Sequence, residues 1–210
     1  ALPLQSQKSY KAITYNIRWN NPDDGLDQWE NRKEAIVNFF LEEKADFFGL
    51  QEALNDQLQF INRNASDYAF IGVGRDDGLD EGEFSPLFYD STKWDRIDFA
   101  TIWLSETPNE VSMGWDAACN RLVTFGHFKN KANGDTIAVY NTHFDHRGDI
   151  ARRESVNTLK EFVNSTSKGS PHIIMGDFNS EWLAEQYLAD SYSDQSRLHV
   201  YNAVSEDLST

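Results

Sequence analysis

The sequence predicts an α/β domain in which two β-sheets pack face to face, with helices on the outside. Segments with helical periodicity lie towards both ends of the chain, and strand-like runs fill the middle. The length of 210 residues fits a single domain, and 6 Trp, 8 Tyr and 14 Phe supply a large aromatic core. The same alternation of strands and helices also permits a doubly wound parallel sheet, so this alternative stays open.

Apolar residues that recur every three or four positions predict three amphipathic helices. The predicted ranges are residues 31–43, 53–64 and 151–163. The apolar stripes, in chain order, are Ile36, Phe39 and Phe40; Leu54, Leu58 and Ile61; and Val156, Leu159 and Val163. Each predicted helix therefore has one face that needs to pack against a sheet.

Short runs rich in β-branched and aromatic residues predict the strands. Two strands flank the first helix, at residues 10–16 and 46–50, and Ile13 and Tyr15 fall on the same side of the first strand. The remaining strands are predicted at residues 68–73, 86–89, 96–104, 121–128, 136–141 and 172–175. This long strand-rich middle is the feature that indicates two packed sheets.

The charge balance limits the kinds of partner. The chain carries 34 acidic and 19 basic residues, for a net charge of −15. A protein that holds long duplex DNA through its phosphates needs a basic face, which is hard to find in this sequence. The balance favours a small phosphoester or a single-stranded nucleic acid over duplex DNA, although a bound cation changes the local sign of charge. No run approaches the roughly 20 apolar residues of a membrane span.

Four of the predicted strands lead directly into an amide, a carboxylate or an imidazole. Asn16 ends the first strand, Glu52 comes just after the second, and His143 comes just after the strand that precedes the last helix. Asp177 and Asn179 follow the final strand and the intervening glycine. If these strands end at one edge of the sheets, their polar groups converge in one pocket.

The residue types in this set suit a hard cation and a phosphoryl group. The side-chain oxygens of Glu52, Asp177, Asn16 and Asn179 suit Mg²⁺ or Mn²⁺ better than Zn²⁺. His143 is a candidate donor to a phosphoryl oxygen, or a proton-transfer group near neutral pH. Each residue alone also has an ordinary structural interpretation, such as a turn cap or a buried imidazole. The combination of all of them is what predicts a functional site.

Short motifs at these strand ends occur in a recognisable order. They are Tyr15-Asn16-Ile17-Arg18, Leu50-Gln51-Glu52, Asn141-Thr142-His143-Phe144-Asp145-His146 and Gly176-Asp177-Phe178-Asn179. Together they resemble the motifs of the endonuclease/exonuclease/phosphatase superfamily, which has the DNase-I-like fold. The middle of the chain resembles a bacterial subgroup of metal-dependent hydrolases, at residues 72–78, 82–86, 103–108, 114–118 and 151–155. The resemblance extends over about residues 10–179.

The resemblance implies a four-layered α/β sandwich of two mixed sheets with helices outside. It implies that Glu52 and Asn16 lie around the metal ion. Asp177 is a further candidate metal ligand. With Asn179, it is implied to face the attacking nucleophile and the phosphate.

The resemblance also assigns roles to side chains beyond the metal. It implies that His143 contacts the phosphoryl group and that Glu83 is the partner that orients this imidazole. Arg75 and Arg121 lie where an arginine could bind the substrate phosphate. The alternative for both arginines is an ordinary ion pair at the protein surface.

The superfamily pattern predicts two further motifs after Asn179: an Ile-Asp-Tyr type strand and a closing Ser-Asp-His that activates water. No Ser-Asp-His tripeptide follows Asn179 in the sequence. We therefore expect residues 1–210 to form a single domain of this type without its C-terminal strands. The chain begins at Ala1 rather than Met, which indicates a processed or trimmed start, and either removal of a signal peptide or the choice of the expressed segment explains it. A secreted or periplasmic location is favoured over a cytoplasmic one.

The function that the resemblance implies is hydrolysis of a phosphoester, of the nuclease or phosphatase type. Catalysis is expected to depend on Mg²⁺ or Mn²⁺ and to proceed by in-line attack of water on phosphorus. One alternative is a phosphate- and metal-binding module without catalysis, which the missing closing motif supports. The other is a partial domain that a second chain completes, because missing strands leave sheet edges open to association.

Overall fold

The computed structural model describes residues 9–180 and 198–202, which form two β-sheets and three α-helices. The first sheet has the strand order β1-β2-β4-β3, and the second has the order β5-β6-β7-β8-β9. The strands are β1 (Ala12–Asn16), β2 (Phe47–Gln51), β3 (Tyr68–Ile71), β4 (Leu87–Asp90), β5 (Trp94–Trp103), β6 (Leu122–Asn130), β7 (Thr136–His143), β8 (His172–Asp177) and β9 (Leu198–Asn202). The helices are α1 (Trp29–Glu43), α2 (Asn55–Asn64) and α3 (Asp149–Thr166), with a short 3₁₀ helix at Gly25–Asp27 before α1.

Three apolar clusters show that the domain has four layers. One cluster joins α1 and α2 to the outer face of the first sheet, for example through Phe40 and Phe48. A second joins the inner faces of the two sheets, where the rings of Phe47 and Phe128 lie 5.0 Å apart. A third packs Leu159 of α3 against the outer face of the second sheet. The predicted four-layered α/β sandwich is therefore confirmed.

Both sheets are mixed, which excludes the doubly wound parallel alternative. In the first sheet β1 and β2 are parallel, whereas β4 runs antiparallel to β2 and β3. In the second sheet the pairs of β5 with β6 and of β6 with β7 are antiparallel. The pairs of β7 with β8 and of β8 with β9 are parallel.

The predicted elements are all present, and the differences lie at their ends. Helix α2 begins at Asn55 rather than at residue 53, because Ala53 forms a β-bridge with Phe84. Strand β7 continues to His143, because its pairing with β8 extends to the pair His143 and Asp177. Strand β9 was not predicted from the sequence.

Parallel pairing brings the candidate residues to one edge of the sandwich. Asn16 pairs with Gln51 at the end of β1 and β2, and His143 pairs with Asp177 at the end of β7 and β8. Strand β1 of the first sheet also lies against β8 of the second. Since the carboxyl ends of parallel strands meet at the same edge, the motifs that follow them converge.

A buried polar bridge links the two sheets directly beneath this edge. The Asn141 side-chain nitrogen donates to the backbone oxygens of Leu50 and Pro86, at 2.7 and 2.8 Å. The Gln51 amide donates to the Asn141 side-chain oxygen at 2.7 Å, and both side chains are fully buried. A β-carbon at Gly49 would lie 2.6 Å from this same Asn141 oxygen, so the bridge requires glycine there. Asn141 and Gln51, which lie within strand-end motifs, therefore hold the sheets together.

We expect the substitution Asn141→Ala to lower the free energy of unfolding by about 3 kcal/mol, because it leaves buried carbonyl and amide groups without partners. Chemical denaturation followed by circular dichroism measures this change. The matched control is Asn164→Ala at an exposed position of α3, where we expect a change within about 0.5 kcal/mol. Equal stability of the Asn141→Ala variant and wild type would refute the role of the bridge.

Candidate active site

Glu52, Asn16 and Asp177 form the centre of the site, each at the end of a strand. The Asn16 side-chain nitrogen donates to Glu52 Oε1 at 2.9 Å and to Asp177 Oδ2 at 3.1 Å. One amide group therefore bridges two carboxylates from different sheets. The backbone N–H of Arg18 donates to Asn16 Oδ1 at 3.0 Å, which fixes the orientation of this amide.

The backbone is strained at three positions in this centre. Arg18, Glu52 and Asn179 have φ angles of 55°, 59° and 47°, in the left-handed region that disfavours residues with a β-carbon. Each of them follows shortly after a strand end. Residues in this region cost free energy and persist where the surrounding structure fixes them, often at functional sites. Positive φ angles also occur at Lys44, Trp115 and Lys168, which lie outside these motifs, so the strain accompanies the site without by itself marking it.

Asp177, Asn179 and His143 form a connected group beside this centre. The backbone N–H of Asn179 donates to Asp177 Oδ1 at 3.0 Å, and its side-chain nitrogen donates to the Phe144 carbonyl at 2.9 Å. That side-chain nitrogen also lies 2.9 Å from His143 Nε2, and Asp177 Oδ2 lies 3.8 Å from the same imidazole nitrogen. A β-carbon at Gly176 would lie 2.3 Å from the Thr142 carbonyl, so only glycine lets β8 approach β7 closely before Asp177.

His143 is held as a neutral imidazole with a defined proton position. Burial lowers its pKa well below the usual value, and the charges of Arg121 and Arg75 lower it further. An amide nitrogen can only donate, so Nε2 accepts from Asn179 and the proton lies on Nδ1. The Nδ1–H group is thus the one that His143 can offer to a substrate oxygen.

A narrow recess of about 10 Å³, with room for about one water molecule, adjoins the imidazole of His143. Arg75 Nη1 donates to Glu83 Oε2 at 2.7 Å inside this recess. Burial raises the pKa of the Glu83 carboxyl, against the opposing effect of the Arg75 charge. The polar residues that line the recess are Arg75, Glu83, Ser85, Asn120, Arg121 and His143.

The recess changes two expectations from the sequence. Glu83 lines it together with His143, but the hydrogen bond of Glu83 goes to Arg75. Both arginines form ion pairs, Arg121 with Asp145 and Arg75 with Glu83, but their side chains are only 5% and 16% exposed, so these pairs do not lie at the protein surface.

A carboxylate that the sequence did not single out for a role, Asp145, anchors Arg121. Asp145 Oδ2 accepts from Arg121 Nε at 3.3 Å and from the backbone N–H of Ala118 at 3.0 Å. Its Oδ1 accepts from the backbone N–H groups of Arg147 and Gly148, at 2.9 and 2.8 Å. Burial alone would raise the pKa of Asp145, but these N–H groups and Arg121 outweigh burial and lower it to about 2.

We expect Asp145 to contribute stability that depends on pH. Its folded-state pKa lies below its ordinary value of 3.8, so the contribution is present above about pH 4 and is lost as the pH falls towards 2. The difference between the ordinary pKa and the folded-state pKa of Asp145 corresponds to about 2 kcal/mol of folding free energy. The loss of stability in Asp145→Asn relative to wild type should therefore shrink between about pH 5 and pH 2.

Denaturant unfolding across this pH range measures the effect, with Asp98→Asn on the exposed part of β5 as the matched control. A stability difference between Asp145→Asn and wild type that stays constant as the pH falls would refute the role of the Asp145 charge.

The donor set at the centre fits Mg²⁺ or Mn²⁺. Magnesium keeps several waters and is usually bound by one or two carboxylates together with substrate phosphate. Glu52 and Asp177 supply two carboxylates, and Asn16 lies between them. Within residues 9–180, His, Cys, Asp and Glu side chains form no group of three or more that suits a metal ion.

The sandwich and its polar strand ends place the chain among the DNase-I-like proteins. The model of the Endonuclease/Exonuclease/phosphatase family matches residues 13–192, and the chain belongs to this family. No helix among the described residues is long and apolar enough to cross a membrane.

Several solved structures and one curated protein are similar to this chain. An endonuclease/exonuclease/phosphatase from Bacteroides vulgatus is 38% identical with a TM-score of 0.85, over 88% of this chain and 72% of that one. A mannosyl-6-phosphatase from Bacteroides thetaiotaomicron is 36% identical with a TM-score of 0.84, over 87% and 71% of the two chains. The uncharacterized protein L388 of Acanthamoeba polyphaga mimivirus is 24% identical over 73% of this chain. The chain spans 60% of that viral protein.

Proposed function

We propose that this protein is a phosphoester hydrolase that depends on Mg²⁺ or Mn²⁺ and acts by in-line attack of water on phosphorus. The observation that carries this proposal is the Asn16 amide between Glu52 and Asp177, at 2.9 and 3.1 Å. The Asn16 amide nitrogen offsets part of the repulsion between these two carboxylates, and a bound cation would offset more of it. Membership of the endonuclease/exonuclease/phosphatase family supports the same reaction class.

Glu52 and Asp177 would hold the metal ion, and the Asn16 amide would have to turn for its oxygen, which accepts from the backbone N–H of Arg18, to join them. A bound Mg²⁺ offsets the negative charge that develops on the phosphoryl oxygens and on the leaving oxygen. Asn16 already holds the two carboxylates in position through its hydrogen bonds. The two carboxylates are therefore already together before a metal ion binds, and the cation would replace the Asn16 amide nitrogen as their partner.

The other residues of the site act on water and on the phosphoryl group. Asp177 accepts a hydrogen bond from the attacking water and so orients it in line with the leaving oxygen. The Nδ1–H of His143 donates to a phosphoryl oxygen, which gains charge in the transition state. Asn179, whose side-chain N–H groups donate to His143 Nε2 and the Phe144 carbonyl, holds the imidazole in place. Hydrolysis forms one bond from the water oxygen to phosphorus and breaks the bond to the leaving oxygen. The proton of the water passes to the Asp177 carboxylate that holds it, because no Ser-Asp-His follows Asn179 in the sequence to supply a separate base.

The substrate that we propose is a small phosphoester or a single-stranded nucleic acid rather than duplex DNA. The net charge of −15 disfavours a long polyanion outside the metal site. The similar protein from Bacteroides thetaiotaomicron is named a mannosyl-6-phosphatase, which is the name of an enzyme with a small substrate. Activity on plasmid DNA that falls steeply with added salt would contradict this preference.

The test of the proposed function is hydrolysis of p-nitrophenyl phosphate and bis(p-nitrophenyl) phosphate by the purified protein. We expect release of p-nitrophenol with Mg²⁺ or Mn²⁺ and none with EDTA. Folded protein that hydrolyses neither compound at any metal concentration would contradict catalysis. That outcome would support the rival function, a phosphate- and metal-binding module without turnover.

A further inference from the structure

Trp19 is an exposed tryptophan beside the proposed metal site. It is 37% exposed, whereas Trp29, Trp94 and Trp103 are at most 7% exposed and belong to the interior. The backbone N–H of Trp19 donates to Oε2 of Glu52 at 3.4 Å. An indole is a large, mostly apolar surface, and binding sites commonly use such side chains to contact a ligand. Trp19 therefore carries an apolar ring within one side-chain length of the carboxylate that we assign to the metal ion.

Hydrogen bonds fix the backbone that leads into Trp19. Arg32 Nη1 donates to the carbonyl of Ile17 at 2.6 Å. Gln57 Nε2 donates to the carbonyl of Arg18 at 3.0 Å. Since the backbone is held, a ligand that packs against the indole has to order only its two side-chain torsions. Little conformational entropy then opposes binding.

The charges beside Trp19 limit the group that it contacts. Residues 19–28 contain three aspartates and neither lysine nor arginine. Asp56, at the start of α2, accepts a hydrogen bond from the Asn20 side chain at 2.9 Å, so a further carboxylate lies against this loop. A second phosphate or a carboxylate on the substrate would be repelled here. The loop therefore favours a neutral group next to the indole.

We propose that Trp19 binds the non-phosphoryl part of the substrate, and that this part carries a neutral ring, of a sugar or of a nucleobase, which packs against the indole. This inference rests on the proposed function, because it places the reacting phosphoryl group at Glu52. A sugar offers a face of C–H groups and a nucleobase offers a π-face, and either face stacks on an indole. Trp19 is then a residue that selects phosphoesters with a ring over those without one.

The test is binding of three phosphonates in the presence of Mg²⁺, followed by phosphorus NMR titration. The ligands are methylphosphonate, cyclohexylmethylphosphonate and benzylphosphonate, which have no ester bond to hydrolyse. We expect a ring to tighten binding by about tenfold relative to methylphosphonate. A gain for both ring ligands indicates a sugar-like C–H face, and a gain for benzylphosphonate alone indicates a nucleobase. Equal affinity for all three ligands, or binding of none, would overturn the inference.

Substitutions of Trp19 locate the ring. We expect Trp19→Ala to reduce the gain from the ring to about twofold or less, and Trp19→Phe to keep most of it. The matched control is Phe99→Ala, which removes a 52% exposed aromatic ring from β5 and should keep the wild-type gain. If Trp19→Ala proves unfolded by circular dichroism, the same measurement on Trp19→Gln decides. The wild-type gain in a folded Trp19→Ala or Trp19→Gln protein would overturn the inference.

The binding measurement and the turnover measurement fail independently. A gain from the ring that depends on Trp19, without metal-dependent turnover of any ester, would support the role of Trp19 and contradict the proposed hydrolase. Metal-dependent turnover of p-nitrophenyl phosphate, together with equal affinity for the three phosphonates, would support the hydrolase and overturn the role of Trp19.

Discussion

Glu52→Gln is expected to lower metal-dependent turnover by about a thousandfold or more. The amide keeps the size of the carboxylate but removes its charge, and a neutral oxygen is a weaker ligand for a hard cation. The amide oxygen of the variant would still accept the hydrogen bond from Asn16, which joins Glu52 Oε1 at 2.9 Å in wild type. The fold should therefore be retained while the metal site is lost.

The measurement is kcat for p-nitrophenyl phosphate as a function of Mg²⁺ concentration, with thermal unfolding as the check on folding. Glu42→Gln, at an exposed position of α1, is the control and should behave as wild type. Unchanged kcat and unchanged Mg²⁺ dependence in Glu52→Gln would rule out Glu52 as a metal ligand.

Asp177→Asn should lower kcat by about a hundred- to ten-thousandfold. Asp177 is 7% exposed, and its two oxygens contact different partners, Asn16 at 3.1 Å and the backbone N–H of Asn179 at 3.0 Å. The single oxygen of an amide in this place can still accept from the backbone N–H of Asn179. The amide NH2 group that replaces the second oxygen cannot accept a hydrogen bond from water. The substitution Asp177→Asn also removes a negative charge that we assign to the metal site.

The same turnover measurement, over a range of substrate concentrations, separates this loss from weaker substrate binding. A fall in kcat with little change in KM is expected, because the Asp177 charge acts on the attacking water and the metal. The control is Asp67→Asn, at an exposed position before β3. Wild-type kcat in a folded Asp177→Asn protein would be incompatible with the proposed mechanism.

Local sequence patterns predicted the helices and strands, because these have clear and different periods, whereas the choice of a four-layered sandwich over a doubly wound sheet came from the family resemblance. The stripe of Ile36, Phe39 and Phe40 predicted α1, whose Ile36 and Phe40 are buried against the first sheet. The ends of elements depend on tertiary contacts that no local pattern carries. The bridge between Ala53 and Phe84 delays the start of α2, and the pairing of His143 with Asp177 lengthens β7.

The convergence of the strand-end residues could also be predicted, since parallel strands end at a common edge. What the sequence could not distinguish is which polar residues face the pocket and which lie between the sheets. Asn141 and Asn16 both lie at the end of an apolar run, yet Asn141 bridges the sheets and Asn16 bridges two carboxylates. This difference depends on the inward or outward direction of each side chain at the edge.

The contact between Arg121 and Asp145 could not be predicted from local sequence patterns. Asp145 and Arg121 are separated by 24 residues and meet because β6 and β7 are neighbours in the second sheet. The one available signal was that Asp145 belongs to the same motif as His143. A buried carboxylate so close to a site residue is a reason to look for the cation that it holds.

Binding of Mn²⁺, followed by its EPR spectrum, tests the metal centre most directly and does not require turnover. We predict that the wild-type protein binds Mn²⁺ and that Glu52→Gln binds it at least about tenfold more weakly, with Glu42→Gln unchanged. Equal Mn²⁺ affinity in the wild-type and Glu52→Gln proteins would contradict the assignment of Glu52, Asn16 and Asp177 as a metal site.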